Sequence, residues 1–176
     1  MMPHVIGDFR NYTYNQTSWA SVIANTELFV AFGGAPLKNG QIGQGGVGRH
    51  IQRESILAAY ENGVKFTSIS PLKSDMDDDV QAVWLPIRPN TDTALIIALC
   101  YELMDKQLYD QNFLDRCTVG FDKFSEYLSG THDGVAKTAE WAAAICDMSA
   151  GDIRRLAMEM ATRRTMLSLS WSLTRQ

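Results

Sequence analysis

The stretch Glu27-Leu28-Phe29-Val30-Ala31-Phe32-Gly33-Gly34 decides the fold of this chain. It contains a short apolar run that a pair of glycines stops. A strand that is covered on both faces of a parallel sheet is apolar throughout, whereas a strand with one face in water alternates apolar and polar residues. We therefore predict a central parallel strand over 27–32.

The sequence that follows alternates between helix and strand signals. Residues 49–62 carry apolar residues mostly at helical spacing and stop before Gly63, as expected of a helix and its C-terminal glycine. Apolar runs predict further strands over 64–69, 81–87 and 165–170. Helices are predicted over 93–108, 112–116, 121–128, 139–145 and 150–163. This alternation is typical of an α/β fold with a doubly wound, mostly parallel sheet flanked by helices.

Residues 1–26 differ from the rest of the chain because they are polar and aromatic and have little periodicity. We interpret them as a lead-in segment from a preceding domain, with a short helix over 18–24. Residues 27–176 are then interpreted as one α/β domain.

The composition excludes several classes of protein. A chain of 176 residues with 45% hydrophobic and 20% charged residues suits one globular domain. The net charge of -4 and the lack of a basic patch speak against nucleic-acid binding, and no apolar run approaches the length of a membrane span. Cys100, Cys117 and Cys146 lack C-x-x-C spacing, so we interpret them as small core residues rather than as disulfide or zinc positions.

Polar residues follow each of the first three predicted strands. Ligands of doubly wound sheets bind beyond the carboxyl ends of the strands, and those ends meet at one edge of the sheet. The loop after the first strand offers backbone amides, Lys38 and Asn39, which suit a phosphate or a ribose, although an ordinary glycine turn with a solvated lysine has the same sequence. Ile69-Ser70-Pro71 and Arg88-Pro89-Asn90-Thr91-Asp92 follow the second and third strands, so these three segments should line one crevice.

Asp92 admits two interpretations from its local sequence. A carboxylate can accept hydrogen bonds from both the N1–H and the 2-amino group of guanine, a pairing that adenine cannot supply. Aspartate is also a favoured N-cap, here of a helix that would begin at Thr93.

Gly43-Gln44-Gly45-Gly46-Val47-Gly48 matches the G-x-G-x-x-G pattern of dinucleotide-binding proteins. In that motif the first glycine directly follows a strand, and an acid after the next strand bonds a ribose hydroxyl. Here residues 34–42 intervene and Ser70 stands where the acid should be. We therefore predict a loop connection over 43–48 rather than a phosphate cradle, and an NAD-binding dehydrogenase is the weaker alternative.

No residue of the chain is assigned to catalysis or to a metal ion. His4, His50 and His132 have no catalytic-triad context and no metal-ligand spacing. The acidic run over 75–79 lacks the alternation of a calcium loop, so we interpret it as solvated.

Taken together, these segments resemble the molybdopterin oxidoreductases of the dimethyl sulfoxide, trimethylamine N-oxide and biotin sulfoxide reductase group. The similarity covers nearly the whole chain, in order and at family-like spacing. The stretches that carry it lie at 16–19, 34–39, 89–95, 109–114, 120–124, 133–142 and 171–176, for example Pro89-Asn90-Thr91-Asp92-Thr93-Ala94-Leu95.

The resemblance implies a Rossmann-like domain that binds a guanine nucleotide tail of the molybdenum bis(molybdopterin guanine dinucleotide) cofactor. By that resemblance Lys38 and Asn39 face the phosphate and ribose, and Ile69, Ser70 and Pro71 face the ribose. Asn90, Thr91 and Asp92 face the guanine, and Trp171 and Ser172 approach the cofactor from the last strand.

The resemblance also implies reduction of S-oxides or N-oxides by oxygen-atom transfer, as part of a longer parent enzyme. The serine that ligates molybdenum in this group would precede Met1, so the expected partners are the remaining domains of the parent and a small oxide substrate. Family members commonly carry Asp where Ser70 stands, which leaves the ribose contact to be weakened or remade by the hydroxyl. The alternative to an enzyme segment is a non-catalytic nucleotide-binding module.

Overall fold

The computed structural model of the chain describes residues 17–41 and 49–169. Its centre is a sheet of four strands, β1 (Leu28–Phe32), β2 (Lys65–Ile69), β3 (Val83–Leu85) and β4 (Thr165–Leu169). The strand order is β3-β2-β1-β4, and each neighbouring pair is parallel. The prediction of a parallel sheet with β1 at its centre is therefore confirmed.

The third strand is shorter than the predicted range of 81–87. On one side, Ala82 N donates to Val80 O in a tight turn, so pairing with β2 begins only at Val83. On the other side stands Pro86, which has no N–H to donate to a neighbouring strand. The apolar pattern was right about the strand and wrong about its length.

Helices flank the sheet at the predicted places, with shifts of a few residues at their ends. They are α1 (Trp19–Asn25), α2 (Gln52–Glu61), α3 (Asp92–Asp105), α4 (Gln111–Cys117), α5 (Phe121–Leu128), α6 (Ala139–Cys146) and α7 (Ala150–Thr162). Short 3₁₀ turns lie at Leu37–Gln41 and Lys73–Asp75. No helix in the described part of the chain is long and apolar enough to cross a membrane.

The two faces of β1 belong to two separate cores, because successive side chains of a strand point in opposite directions. Leu28, Val30 and Phe32 pack in a core with residues of α3, α6 and α7. Phe29 and Ala31 pack on the other face with residues of α1 and α2. Every residue of β1 is at most 4% exposed, so helices cover the sheet on both sides and the doubly wound fold is confirmed.

The cysteines do not all lie in the core. Cys146 is buried and Cys100 is half-buried, but Cys117 is exposed, so the interpretation of Cys117 as a core residue is wrong. The reason is that α4, which Cys117 ends, is a peripheral helix without a single buried residue.

Gly34 is required by the way in which two loops meet. Its φ of +69° is a left-handed conformation, and a Cβ placed there would lie 2.3 Å from the carbonyl oxygen of Asp75. Gly63 also has a positive φ, of +90°, yet a Cβ placed there would meet nothing within 4 Å. A side chain at position 63 would therefore cause backbone strain alone, whereas a side chain at position 34 would cause backbone strain and steric overlap.

We predict that Gly63→Ala costs roughly 1–3 kcal/mol of unfolding free energy from backbone strain alone. Gly34→Ala should cost more, because the added methyl group also displaces the Asp75 backbone. Urea unfolding of both variants and of the wild-type chain measures the difference. Equal losses in the two variants would contradict the close approach of Gly34 to Asp75.

Candidate functional site

The carboxyl ends of the strands lie in line at one edge of the sheet. Phe32, the last residue of β1, is paired with Ile69 of β2 and with Leu169 of β4. Ile69 is in turn paired with Leu85, the last residue of β3. The loops after β1, β2 and β3 therefore leave the sheet side by side, as predicted from the alternation of strands and helices.

The loop after β1 is braced by three hydrogen bonds to its neighbours. Gly33 N donates to Ile69 O (2.8 Å), Ala35 N donates to Asp75 O (2.7 Å), and Gln52 Nε2 donates to Ala35 O (3.3 Å). Lys38 and Asn39 follow on the 3₁₀ turn and are both exposed. A fixed loop thus presents a cation and an amide to solvent at the sheet edge.

The loop after β2 uses its predicted site residues in different ways. The Ile69 side chain is fully buried in the core, and its carbonyl accepts the bond from Gly33. Ser70 is only 1% exposed, and its hydroxyl donates to Asp75 Oδ2 (2.5 Å) and accepts from Leu72 N (3.4 Å). Pro71 is exposed. Of these three, only Pro71 presents its side chain to an incoming ligand.

The loop after β3 is held by the C-terminal end of α6. Arg88 N donates to Cys146 O (2.9 Å), and Cys146 Sγ donates to Thr91 O (3.3 Å). Thr91 Oγ1 donates to Arg88 O (2.6 Å), and exposed Asn90 has a left-handed φ of 69°. These contacts fix the backbone on which Asn90, Thr91 and Asp92 lie.

A buried carboxylate anchors α6 in turn. The Glu102 side chain is 4% exposed and accepts from Ala139 N (3.3 Å), the backbone N–H of the first residue of α6. Lys106 Nζ (3.3 Å) and Arg154 Nε (3.6 Å) approach its two oxygens. An anion at a helix N-terminus is favourable, and the two cations balance its charge. This group therefore positions the loop after β3 through α6.

Asp92 is not the N-cap of α3. The helix begins at Asp92 itself, and its N-cap is Thr91, which makes no side-chain capping hydrogen bond. The capping interpretation of Asp92 is therefore wrong. Burial raises the pKa of the Asp92 carboxyl above its ordinary value, and a hydrogen bond from its own backbone N–H opposes the rise. A carboxylate that is partly withdrawn from water in this way gains from donors that a ligand supplies.

Asp75 is the site residue that sequence reasoning missed. We expected the acidic run over 75–79 to be solvated, yet Asp75 is half-buried and holds the Ser70 hydroxyl. A cavity of about 470 Å³ joins the loops after β1 and β2, and Asp75 and Lys38 both line it. No signal in the sequence could have found this residue, because only the 3₁₀ turn at Lys73–Asp75 folds the run back onto the strand ends.

Other predicted features lie away from these loops or outside the described residues. Trp171, Ser172 and the glycines of 43–48 belong to the ranges that are not described, so their assignments stay predictions. A second cavity, of about 360 Å³, lies between α3, α4 and α5, and none of the described side chains that line it is charged. In the described ranges no three His, Cys, Asp or Glu side chains are grouped so that they could hold a metal ion.

The fold and the strand-end loops define an α/β protein of the doubly wound class with a cavity between the loops after β1 and β2, at the carboxyl edge of its sheet. Its fold is shared with acetylene hydratase from Pelobacter acetylenicus, at a TM-score of 0.64 and 22% identity over 84% of this chain and 18% of that one. No family model matches the chain.

Curated relatives identify the family. The chain is 39% identical over 175 residues to a dimethyl sulfoxide/trimethylamine N-oxide reductase of Cereibacter sphaeroides, covering 99% of this chain and 21% of that protein. A biotin sulfoxide reductase of the same organism is also 39% identical over 175 residues, covering 99% and 24%. The trimethylamine-N-oxide reductase of Haemophilus influenzae is 35% identical over 181 residues, covering 100% and 21%.

Over nearly its whole length the chain is homologous to part of the dimethyl sulfoxide, trimethylamine N-oxide and biotin sulfoxide reductases. It spans about a fifth of the length of the curated relatives that it matches.

We predict that Asp92 makes the folded chain less stable as the pH rises. Its pKa is higher in the folded than in the unfolded chain, so folding binds a proton between the two values and stability falls as the pH rises through that window. Asp92→Asn removes the ionisation. The difference in unfolding free energy between variant and wild type should therefore shift in favour of the variant from about the ordinary value of 3.8 upward and level off above the raised pKa of the folded chain.

Urea unfolding at a series of pH values measures this difference. Asp122→Asn is the matched control, because Asp122 lies in the first turn of α5 but is exposed, so it reports a helix-terminal carboxylate without burial. A wild-type chain that gains stability over Asp92→Asn with rising pH would show that the Asp92 charge is favourable in the fold.

Proposed function

We propose that the chain is the nucleotide-binding segment of a longer molybdenum enzyme that reduces S-oxides or N-oxides by oxygen-atom transfer. The observation that carries the proposal is the convergence of three strand-end loops, which bear Lys38, Ser70 and Asp92, at one edge of a parallel sheet. The family membership supports the same function, because the relatives that share these segments are named as reductases of such oxides.

The side chains at the edge fit one guanine nucleotide tail of the bis(molybdopterin guanine dinucleotide) cofactor. Exposed Lys38 and Asn39 supply a cation and an amide for the phosphates. Exposed Pro71 offers an apolar surface beside the ribose, while buried Ile69 and Ser70 support that loop from below. Asn90, Thr91 and the Asp92 carboxylate would bind the guanine edge, and Trp171 and Ser172 complete the proposed set.

Asp92 would give the site its preference for guanine. Guanine presents its N1–H and 2-amino donors side by side, and a carboxylate accepts from both. The raised pKa of Asp92 supports this role, because a partly desolvated carboxylate gains more from two donors than one that water already solvates.

The bound cofactor supplies the oxygen-atom transfer at its metal, and this segment binds and orients the cofactor. The remaining domains of the parent would then provide the molybdenum ligand and the substrate pocket. A non-catalytic nucleotide-binding module would use the same crevice, so retention of the complete cofactor is the measurement that separates the two.

We predict that Asp92→Asn in the longer parent protein weakens retention of the guanine dinucleotide cofactor by about 10- to 150-fold, because a donor then faces a donor and a charge-assisted pairing is lost. Discrimination against the cytosine form of the cofactor should fall as well. The measurement is the amount of each nucleotide released from purified protein after the fold has been verified by circular dichroism.

Asp110→Asn is the matched control for this experiment. Asp110 is a true N-cap, whose side chain accepts from Phe113 N, and it lies beyond the far end of α3. Asparagine caps helices nearly as well as aspartate, so this variant should retain the cofactor. Unchanged retention and unchanged discrimination in Asp92→Asn would remove Asp92 from the site.

A further inference from the structure

The Ser70 hydroxyl is committed within the protein and is not free to bind a ribose. It donates to Asp75 Oδ2, it accepts from Leu72 N, and the residue is only 1% exposed. In doubly wound nucleotide-binding proteins an acid after the second strand accepts a bond from a ribose hydroxyl. The residue that follows β2 here is Ser70, which is not an acid. Its hydroxyl is, however, hydrogen-bonded to the carboxylate of Asp75.

The Asp75 carboxylate lies where such an acid would act. Asp75 O accepts from Ala35 N (2.7 Å), so its backbone is tied to the loop after β1. The approach is so close that a Cβ at Gly34 would lie 2.7 Å from the Asp75 Cβ. Asp75 therefore stands at the junction of the loops after β1 and β2, where a ribose between phosphate and base would lie.

Within the described part of the chain, one carboxylate oxygen of Asp75 receives no hydrogen bond. Oδ2 accepts from Ser70, and no hydrogen bond from within the described ranges reaches Oδ1. Asp75 also lines the cavity of about 470 Å³ that Lys38 lines, so an acceptor for hydroxyl groups and a cation for phosphates share one space.

We propose that Asp75 is the acceptor for the ribose hydroxyls and that Ser70 is its positioning residue. The proposal rests on the proposed nucleotide-binding function and names a residue that the resemblance to the reductases does not assign. In this chain the acid lies on the 3₁₀ turn after β2 and not directly at the strand end. The Ser70 hydroxyl holds it at the position that an acid in place of Ser70 would reach.

The experiment measures binding of guanosine diphosphate and of its 2′,3′-dideoxy analogue to the 176-residue chain by calorimetry. The ratio of the two affinities reports the ribose contact alone, because both probes share the base and the phosphates. We expect the wild-type chain to prefer the ribonucleotide by about 10- to 150-fold, the range for hydrogen bonds to a charged group. Asp75→Asn should abolish most of that preference.

Two further variants separate a specific contact from bulk charge and from positioning. Asp78→Asn removes an exposed carboxylate from the same cavity, and it should keep the ratio or strengthen binding of both probes equally. Ser70→Ala should lower the ratio in the wild-type background and change it little in the Asp75→Asn background, because Ser70 acts through Asp75.

The outcomes distinguish this proposal from the one on which it rests. Binding of the diphosphate with no ribose preference, or a preference that survives Asp75→Asn, overturns the role of Asp75 and leaves the nucleotide site intact. If Asp75→Asn and Asp78→Asn change the affinity ratio equally, Asp75 acts only through its charge, and its role as the ribose acceptor is overturned. A wild-type chain that binds neither probe counts against the proposed function itself and removes the ribose role with it.

Discussion

The structure depends on the burial of β1 on both of its faces. Parallel neighbours are connected through crossover helices, and these helices cover the strand on both faces. Parallel pairing places the ends of β1, β2 and β3 at the same level, with Phe32, Ile69 and Leu85 side by side. The polar loops meet at one edge as a consequence of this constraint.

The loops at that edge are held by contacts that no single loop could make alone. Gly33 bonds to Ile69, the last residue of β2, and Ala35 bonds to Asp75 in the segment after β2. The segment after β3 is hydrogen-bonded to Cys146 at the end of α6. Fixing a backbone in advance of binding lowers the entropy that a ligand must otherwise remove. The exposed side chains of Lys38 and Asn39 thus follow a loop whose backbone is held by hydrogen bonds to its neighbours.

Burial of the Asp92 carboxyl works against the stability of the fold. A carboxylate at the start of a helix is favourable, but burial raises the pKa of Asp92 and thereby disfavours its charged form in the fold. The presence of Asp92 at the strand-end crevice is understandable if the donors of a bound base restore what burial removes.

The sequence by itself determined the elements and the edge at which the site lies. The continuous apolar run of β1 and the helical spacing after it depend on neighbours along the chain, so they can be recognised without coordinates. The family also followed from the order of its segments, among them Pro89-Asn90-Thr91-Asp92.

Only the tertiary structure decided which groups are available at the edge. The hydroxyl of Ser70 is withdrawn by a carboxylate five residues later, the Ile69 side chain turns into the core, and the N-cap of α3 is Thr91 rather than Asp92. The physical reason is that a hydrogen bond or a burial depends on where a turn brings two segments in space. A pattern of residue types shows which hydrogen bonds each group can make, but it does not show which partner the fold brings close to that group.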